Sequence, residues 1–497
     1  MINIELNKWF QTSPRTISFL LWTFFFFSWY AFHPLSPDIF EKTSPDWWDW
    51  WDQSNYLQIT KEITTLEPNT DSFWPGYSMI GAVFYALFPS NPFFFVSFIC
   101  GFIVFDSIRE IISAGNRHFE GLIVSAVLCG LHYKFIYQSI IIPWNNIFIY
   151  AFFALLVKNI LLDKWSHSNL NVLIIFSTLS FFSRPQDGFF AVAFCSFAIW
   201  IQRQESRKLL LSLKLIASVM IASSITFIYL FALWKGEPSA YLRANISHGF
   251  DFSEILLRLY TLFFNGSFLF DGEYGRLTIL GLQPSVLVYN PLACFGWLVL
   301  ITNIFSGKKE FFLASTLSIP VFFYLSFNPV GNPVHFWTYS LFHYIWINVT
   351  LFAAIGYIEL RKFLILGQVN NNTFFCILVF ILLVASNVLP YSGVRSSSAK
   401  DVSNPLTLII ENKNLKKIYF YHDMKNAADL SLPGQELSFE IRVNNEKLIP
   451  WRDYYLNSGN DWSSVFFINS PQIGSSIFIH SNQNELVSKK VRLDYFP

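Results

Sequence analysis

The stretch "SPDWWDWWDQSNYL", residues 44–57, packs four tryptophans and three aspartates into seven consecutive positions, 46–52, just after the first long apolar run of the chain. Ser44-Pro45-Asp46 has the form of a helix start: a capping hydroxyl, a proline at the first helical position and an acid in the first turn. At about 100° per residue, Asp49, Asp52, Gln53 and Tyr56 share a sector of about 100°, with Asp46 at its edge. Trp47, Trp50 and Trp51 take the other side. Indoles settle at the headgroup level of a bilayer, so the stretch reads as an interfacial helix whose acids turn away from lipid. Its aspartates either face water behind an aromatic anchor or line a site. Three acids aimed at one place beside a membrane are costly to shelter, which favours a site.

The rest of the chain fits a bilayer. Of its 497 residues 53% are hydrophobic and only 13% charged, against about 25% charged in soluble domains, and the mean hydropathy is +0.39. Fifty-seven phenylalanines exceed what one core needs. A net charge of +1 without a basic tract argues against a nucleic-acid partner. Cys100, Cys129, Cys195, Cys294 and Cys376 all lie in apolar runs without metal-type spacing, and read as small buried or lipid-facing side chains.

Apolar runs near 16–33, 93–112, 119–138, 147–162, 169–183, 188–202, 209–233, 285–305, 311–327, 338–358 and 374–390 are read as spans. That makes about eleven, a span needing roughly 20 apolar residues and fewer where neighbours shelter it. The first run lacks a small-residue cleavage site and is read as a retained anchor. With the N-terminus in the cytoplasm, Arg109, Arg117, Lys158, Lys164, the 203–208 loop, Lys308, Lys309, Arg361 and Lys362 all fall inside. Residues 34–92 then form the first extracytoplasmic loop, and 184–187, 234–284, 328–337 and everything after 390 lie outside as well. From Tyr391 onward, short alternating runs such as "KKIYFYHD" and "LSFEIRV" stand between turn residues, the pattern of a small β-rich domain over 391–497. Residues 1–390 form the membrane domain.

The motif stretch continues as "WDQSNYLQITKEI" and, after a short polar segment, "FWPGYSMIGAVFYALFP". Here the chain resembles the GT-C superfamily of membrane glycosyltransferases, in particular the aminoarabinose and protein mannosyl transferase type. Those members carry an acidic pair and an aromatic in the first extracytoplasmic loop, like Asp52-Gln53 with Tyr56. A "P-x-Y" stretch leads into the next hydrophobic segment, as Pro75-Gly76-Tyr77 does here. The resemblance covers about the first 200 residues, is loose near 335–358 and does not extend to the C-terminal domain. It implies a polytopic α-helical fold, a sugar donor on a polyprenyl phosphate and Asp52 as general base; Asp49, on the same helix face, is read as supporting or orienting it. Gln53, Tyr56 and Tyr77 become substrate-side residues. Gln53 stands where many members have glutamate, so a second carboxylate is missing, and no metal site or other cofactor is called for.

One base suffices to take the acceptor's proton while the lipid phosphate leaves from the opposite face of the sugar. The leaving phosphate needs cationic or hydrogen-bonding partners. Hydrolysis would need two carboxyl groups across the scissile bond, and Asp49 and Asp52 are too close on one face for that. "SRPQDGFF", residues 183–190, offers a cation: Arg184 between two apolar runs, where an unpaired guanidinium is costly, with Pro185 and Gly188 expected to break the helix. Either Arg184 meets phosphate or sugar while Gln186 and Asp187 line the cavity, or Arg184 and Asp187 pair to cap two helices. In "FNPVGNPVHFWTYSLFHYIW", residues 327–346, His335 is a candidate phosphate contact or a structural hydrogen-bond partner, and His343 a weaker one. Lys235, Arg243, Arg258 and Arg276 in the long loop 234–284 together suit the approach of an anionic lipid.

The expectation is therefore an α-helical polytopic membrane protein of GT-C type with a small extracytoplasmic β-rich domain, set in a bacterial inner membrane. It would move one sugar from a polyprenyl-phosphate carrier to an outward-facing glycan, lipid or protein. No Walker loop, dinucleotide fingerprint or sugar-nucleotide motif with a cytoplasmic domain supports a nucleotide donor. The alternatives are a flippase for a lipid-linked saccharide, which would favour charges midway along spans in repeated halves, a non-catalytic scaffold, and a polymerase or ligase of surface polysaccharide.

Overall fold

The computed structural model describes residues 14–32, 36, 51–65, 74–114, 117–132, 135–201, 205–234, 255–263, 285–326, 341–366 and 377. Beyond these it describes 395–396, 400–401, 406–409, 415–422, 439–443, 446–448, 452–456, 462–467, 474, 476–481 and 490–495. Asp46, Asp49, His335 and Cys376 lie outside the described residues, and Trp51 and Asp52 are described as backbone alone. The chain divides into two compact units, the first holding 1–265, 285–327 and 337–384, the second 266–284, 328–336 and 385–497.

The first unit is helical. Helix α1, Pro14–Phe32, begins on a proline whose fixed φ suits the first helical position. Its Trp22, Phe26 and Tyr30, four residues apart, are buried against α4, Phe94–Ile112, while Leu20, Phe24 and Phe32 stay exposed. Trp22 donates its indole N–H to the Phe98 carbonyl at 3.0 Å, and Phe26 meets Phe94 and Phe98 edge-on at 5.3 Å each. Between α1 and α4 come α2, Trp51–Thr65, and α3, Gly76–Tyr85.

The run expected over 119–138 is not one helix. Helix α5, His118–Ser125, widens into a π turn over Ala126–Gly130, bends at Leu131, and resumes as a π segment over Ile136–Ile141. The cause lies far away in sequence. Trp29 of α1 donates its indole N–H to the Gly130 carbonyl at 2.9 Å, using an acceptor that the next helical turn would need. Phe25 packs so closely on Gly130 that a Cβ there would overlap its ring.

Helix α6, Ile147–Leu162, is followed by the α7/α8 hairpin, His167–Ser183 and Pro185–Trp200. Arg184 between them is extended, φ −155° and ψ 104°, as a residue before proline prefers. Pro185 makes the break alone. Gly188, expected to help break the helix, continues α8, and its missing side chain lets α8 lie against the backbone of Phe181. Helix α9, Glu205–Trp234, exposes Leu209, Leu213, Ile216, Met220, Phe227 and Phe231, an apolar face with no place in water. Its Arg207–Phe231 portion is the one helix among the described residues long and apolar enough to cross a bilayer by length and composition. His118–Gly130, Ile147–Leu162 and Pro291–Thr302 are shorter apolar helices.

Within the long loop lies a helix not expected there, α10, Ile255–Phe263. The run over 285–305 is split into α11, Val286–Tyr289, and α12, Pro291–Thr302, because Pro291 holds Asn290 out of the helical region, φ −151° and ψ 79°. Helices α13, Lys308–Ser326, and α14, Leu341–Leu366, complete the unit. Helices α12 and α14 touch backbone to backbone: a Cβ on Gly296 would overlap the Phe352 carbonyl, and one on Gly356 the Leu292 carbonyl. The described elements of the larger unit are thus all helical.

In the second unit the described elements are strands, β1 Arg395–Ser396, β2 Lys400–Asp401, β3 Leu406–Ile409, β4 Leu415–His422, β5 Phe439–Val443, β6 Glu446–Leu448, β7 Arg452–Leu456, β8 Trp462–Phe467, β9 Ser476–Ser481 and β10 Lys490–Tyr495. They form two antiparallel sheets, one ordered β1-β10-β4-β8-β7 with β2 also on β10, the other β3-β9-β5-β6. The longest pairing sets Ile418 opposite Phe466 on one side and Leu493 on the other.

Candidate active site

Within the first unit, one end of the bundle collects the polar turns of the sequence. Helix α2 carries Asp52 as its second residue. The next residue, Gln53, is fully buried and donates its carboxamide N–H to the Pro143 carbonyl at 2.9 Å. One turn on, Tyr56 is buried edge-on to Tyr77, ring centres 5.2 Å apart, and Tyr77 in turn stacks on Phe93 at 4.2 Å. Ser78 donates to the Tyr56 carbonyl at 3.0 Å, tying α3 to α2. The helix bearing Asp52 is therefore fixed from two sides by its own neighbours.

The "P-x-Y" stretch reaches the Arg184 turn. Trp74 donates its indole N–H to the Phe182 carbonyl at 2.6 Å, and Gly76 lies directly against that same carbonyl. Two residues on, the Arg184 guanidinium sits 3.8 Å from the centre of the Tyr344 ring and 5.5 Å from that of Tyr324. Those two rings are stacked 5.0 Å apart. Arg184 donates to the Tyr324 hydroxyl at 3.2 Å and to both Asp187 oxygens at 3.4 Å. These Asp187 contacts are longer than the about 2.7–2.9 Å of a tight charge-assisted bond. The close partner of the buried Asp187 carboxylate is the Tyr324 hydroxyl, which donates to Oδ1. The Arg184 side chain keeps 14% of its surface exposed, and Gln186 points to the exposed side of α8.

The turn 142–146 joins the two groups. Its Pro143 accepts from Gln53, while Trp144 stacks on the His343 imidazole at 3.7 Å and Asn146 donates to the His343 carbonyl at 2.6 Å. Tyr150 donates to that carbonyl as well, at 2.6 Å. The His343 ring also lies 3.9 Å from the Tyr344 ring. Among the described residues, His343 Nε2 and the Tyr77 hydroxyl are buried without a hydrogen-bond partner. No three His, Cys, Asp or Glu side chains among the described residues gather in a metal-ligand cluster.

Of the residues singled out in the sequence, Gln53, Tyr56 and Tyr77 come together, as do Arg184 and Asp187. Trp144, Asn146, Tyr150, Tyr324 and Tyr344 were missed. The polar interruption "PWNN", 143–146, between two apolar runs was a signal for the first two. The tyrosines carry none, since each sits inside an apolar span.

No family model and no curated protein matches the chain. Among solved structures it is similar to ArnT from Cupriavidus metallidurans bound to undecaprenyl phosphate, with 10% identity and a TM-score of 0.38. That match covers 75% of this chain and 62% of the other. It is also similar to the apo oligosaccharyltransferase of Archaeoglobus fulgidus, with 13% identity and a TM-score of 0.39 over 77% of this chain. The chain spans 55% of the length of that protein.

Proposed function

We propose that the chain is a membrane glycosyltransferase of GT-C type that moves a sugar from a polyprenyl-phosphate carrier to a hydroxyl of an outward-facing glycan, lipid or protein. One observation carries this reading: the turn 142–146 holds the Asp52 helix through Gln53 on one side and the His343–Tyr344 start of α14, with Arg184 on it, on the other. The helix that carries Asp52 and the turn that carries Arg184 are thus linked through the 142–146 turn and the start of α14.

In this mechanism Asp52 accepts the acceptor hydroxyl's proton as the new bond to the sugar's anomeric carbon forms. The bond from that carbon to the phosphate oxygen breaks, and the carrier leaves as the lipid monophosphate. Arg184 stabilises the charge gained by that phosphate. Asp49 and Tyr56 orient the acceptor side, Tyr77 and Gln53 support them, and Gln186, Asp187 and His335 belong to the sugar and phosphate side. The architecture has about eleven spans, the N-terminus in the cytoplasm of a bacterial inner membrane, and the β-rich region outside.

The test supplies a radiolabelled polyprenyl-phosphate sugar to membranes holding wild type or Asp52→Asn at equal abundance, and counts label in glycans and lipids. Transfer by wild type that collapses in the mutant supports the assignment. Normal transfer by the mutant removes Asp52 from the mechanism. Carrier binding by both without transfer by either favours the flippase.

A further inference from the structure

Helices α6, α8 and α13 present their other ends to a groove of about 1290 Å³, with Lys208 at the start of α9 also in its lining. Small-molecule pockets run to about 300–1,000 Å³, so this one is roomy for a metabolite. Its floor is apolar, with Phe197 and Phe312 rings 4.5 Å apart. Its rim is aromatic and open: Phe305 is 91% exposed and Trp200 68%, with Trp165 beside them.

The charge is one-sided. Lys208, Lys308 and Lys309 line the groove against a single lining carboxylate, Asp163. Glu310 folds back beside Gly307 at the edge. Lys309 is held in place by donating to the Leu161 carbonyl at 3.1 Å. The nearby Lys158 and Lys164 reach Glu110, at 3.8 and 3.1 Å. Beyond the groove, Leu209, Leu213 and Ile216 of α9, about 100° around the helix from Lys208, are each more than half exposed and form an apolar track. A soluble anion would have no use for that track, whereas a headgroup with acyl chains fits both parts.

We propose that the groove holds an acidic phospholipid, its phosphate among Lys208, Lys308 and Lys309 and its chains along the exposed face of α9. On the orientation given by the lysines and arginines, this lipid lies in the cytoplasmic leaflet. The site is independent of Asp52 and Arg184, so it stands or falls apart from the transferase reading.

The test uses the full-length protein purified in phosphatidylcholine nanodiscs doped with phosphatidylglycerol, with retained lipid counted by native mass spectrometry. The groove variant is Lys208→Gln/Lys308→Gln/Lys309→Gln. A control of equal charge is Lys164→Gln/Lys214→Gln/Lys362→Gln, and Lys208→Arg/Lys308→Arg/Lys309→Arg keeps the charge in place. At roughly 1 kcal/mol per basic side chain near the surface, the groove variant should lose about tenfold or more in phosphatidylglycerol retention. The control and the arginine variant should match wild type. Unchanged retention in the groove variant, an equal loss in the control, or a loss in the arginine variant would each overturn the proposal. So would displacement by glycerol phosphate at the lipid's own concentration, which would mark a site for free phosphate.

Discussion

Arg184 sits over the Tyr344 ring, its guanidinium carbon 3.8 Å from the ring centre, while its end reaches the Tyr324 hydroxyl at 3.2 Å. The two rings are 20 residues apart on different helices, α13 and α14, so one guanidinium ties both to the α7/α8 turn. Stacking and forked donation are properties of arginine that lysine does not reproduce. Arg184→Lys should therefore lower sugar transfer about tenfold or more at unchanged protein level, the stacking alone contributing about 0.5–2 kcal/mol. Initial rates against donor concentration decide it. A wild-type rate in the lysine variant would reduce Arg184 to a point charge that joins two helices.

Tyr324→Phe removes the hydroxyl that donates to the buried Asp187 carboxylate. Leaving a buried acceptor short of a donor costs about 1–3 kcal/mol. The variant should melt lower, and adding Asp187→Asn should restore part of the loss, since the charge that needed the hydroxyl is gone. Thermal unfolding of the two single variants and the double variant measures this coupling. Strict additivity would mean the hydroxyl and the carboxylate do not act as a unit.

Gln53 occupies a position where an acid is common in proteins with this motif, and the structure gives a reason for the amide. Its N–H donates to the Pro143 carbonyl inside a fully buried site. A carboxylate there would face a carbonyl oxygen with no donor between them and no solvent. Gln53→Glu should lower stability by about 1–3 kcal/mol or more and lower transfer with it, because the Asp52 helix loses its tie to the 142–146 turn. Melting temperature and transfer rate should fall together. A stable, more active variant would show that the position accepts the acid and that the tie is unimportant.

What could be read from the sequence was local. Pro185 and Pro291 act on the residue just before them, so the Arg184 turn follows from the dipeptide, and the split at Asn290 was equally available there. The Asp52–Tyr56 spacing and the Pro75–Tyr77 stretch carry their family likeness in a few adjacent residues. The break after Gly130 was not legible, because it comes from Trp29 on another helix, 101 residues away. Tyr324 and Tyr344 were hidden for a related reason: an aromatic inside an apolar span looks the same whether it faces lipid, core or a guanidinium. Helix Ile255–Phe263 carries Ile255, Leu259, Leu262 and Phe263 on one face at helical spacing, but nine residues are far short of a span and leave a weak signal within a long polar loop.

The last test concerns Gly76, in the middle of "P-x-Y". Its Cα lies against the Phe182 carbonyl, which also accepts the Trp74 indole N–H at 2.6 Å. A methyl group at position 76 would meet backbone, which cannot swing aside as a side chain does. Helices α3 and α7 would have to separate, stretching the Trp74 bond and shifting Tyr77 against Tyr56. Overpacking of this kind costs about 1–3 kcal/mol. Gly307→Ala is the matched comparison: its new methyl would meet only the carboxylate end of Glu310, a flexible group that can move. Gly76→Ala should therefore lower the melting temperature and slow transfer, while Gly307→Ala leaves both near wild type. If the two variants behaved alike, the close approach of α3 to the Phe182 carbonyl would be no part of what positions the Asp52 helix.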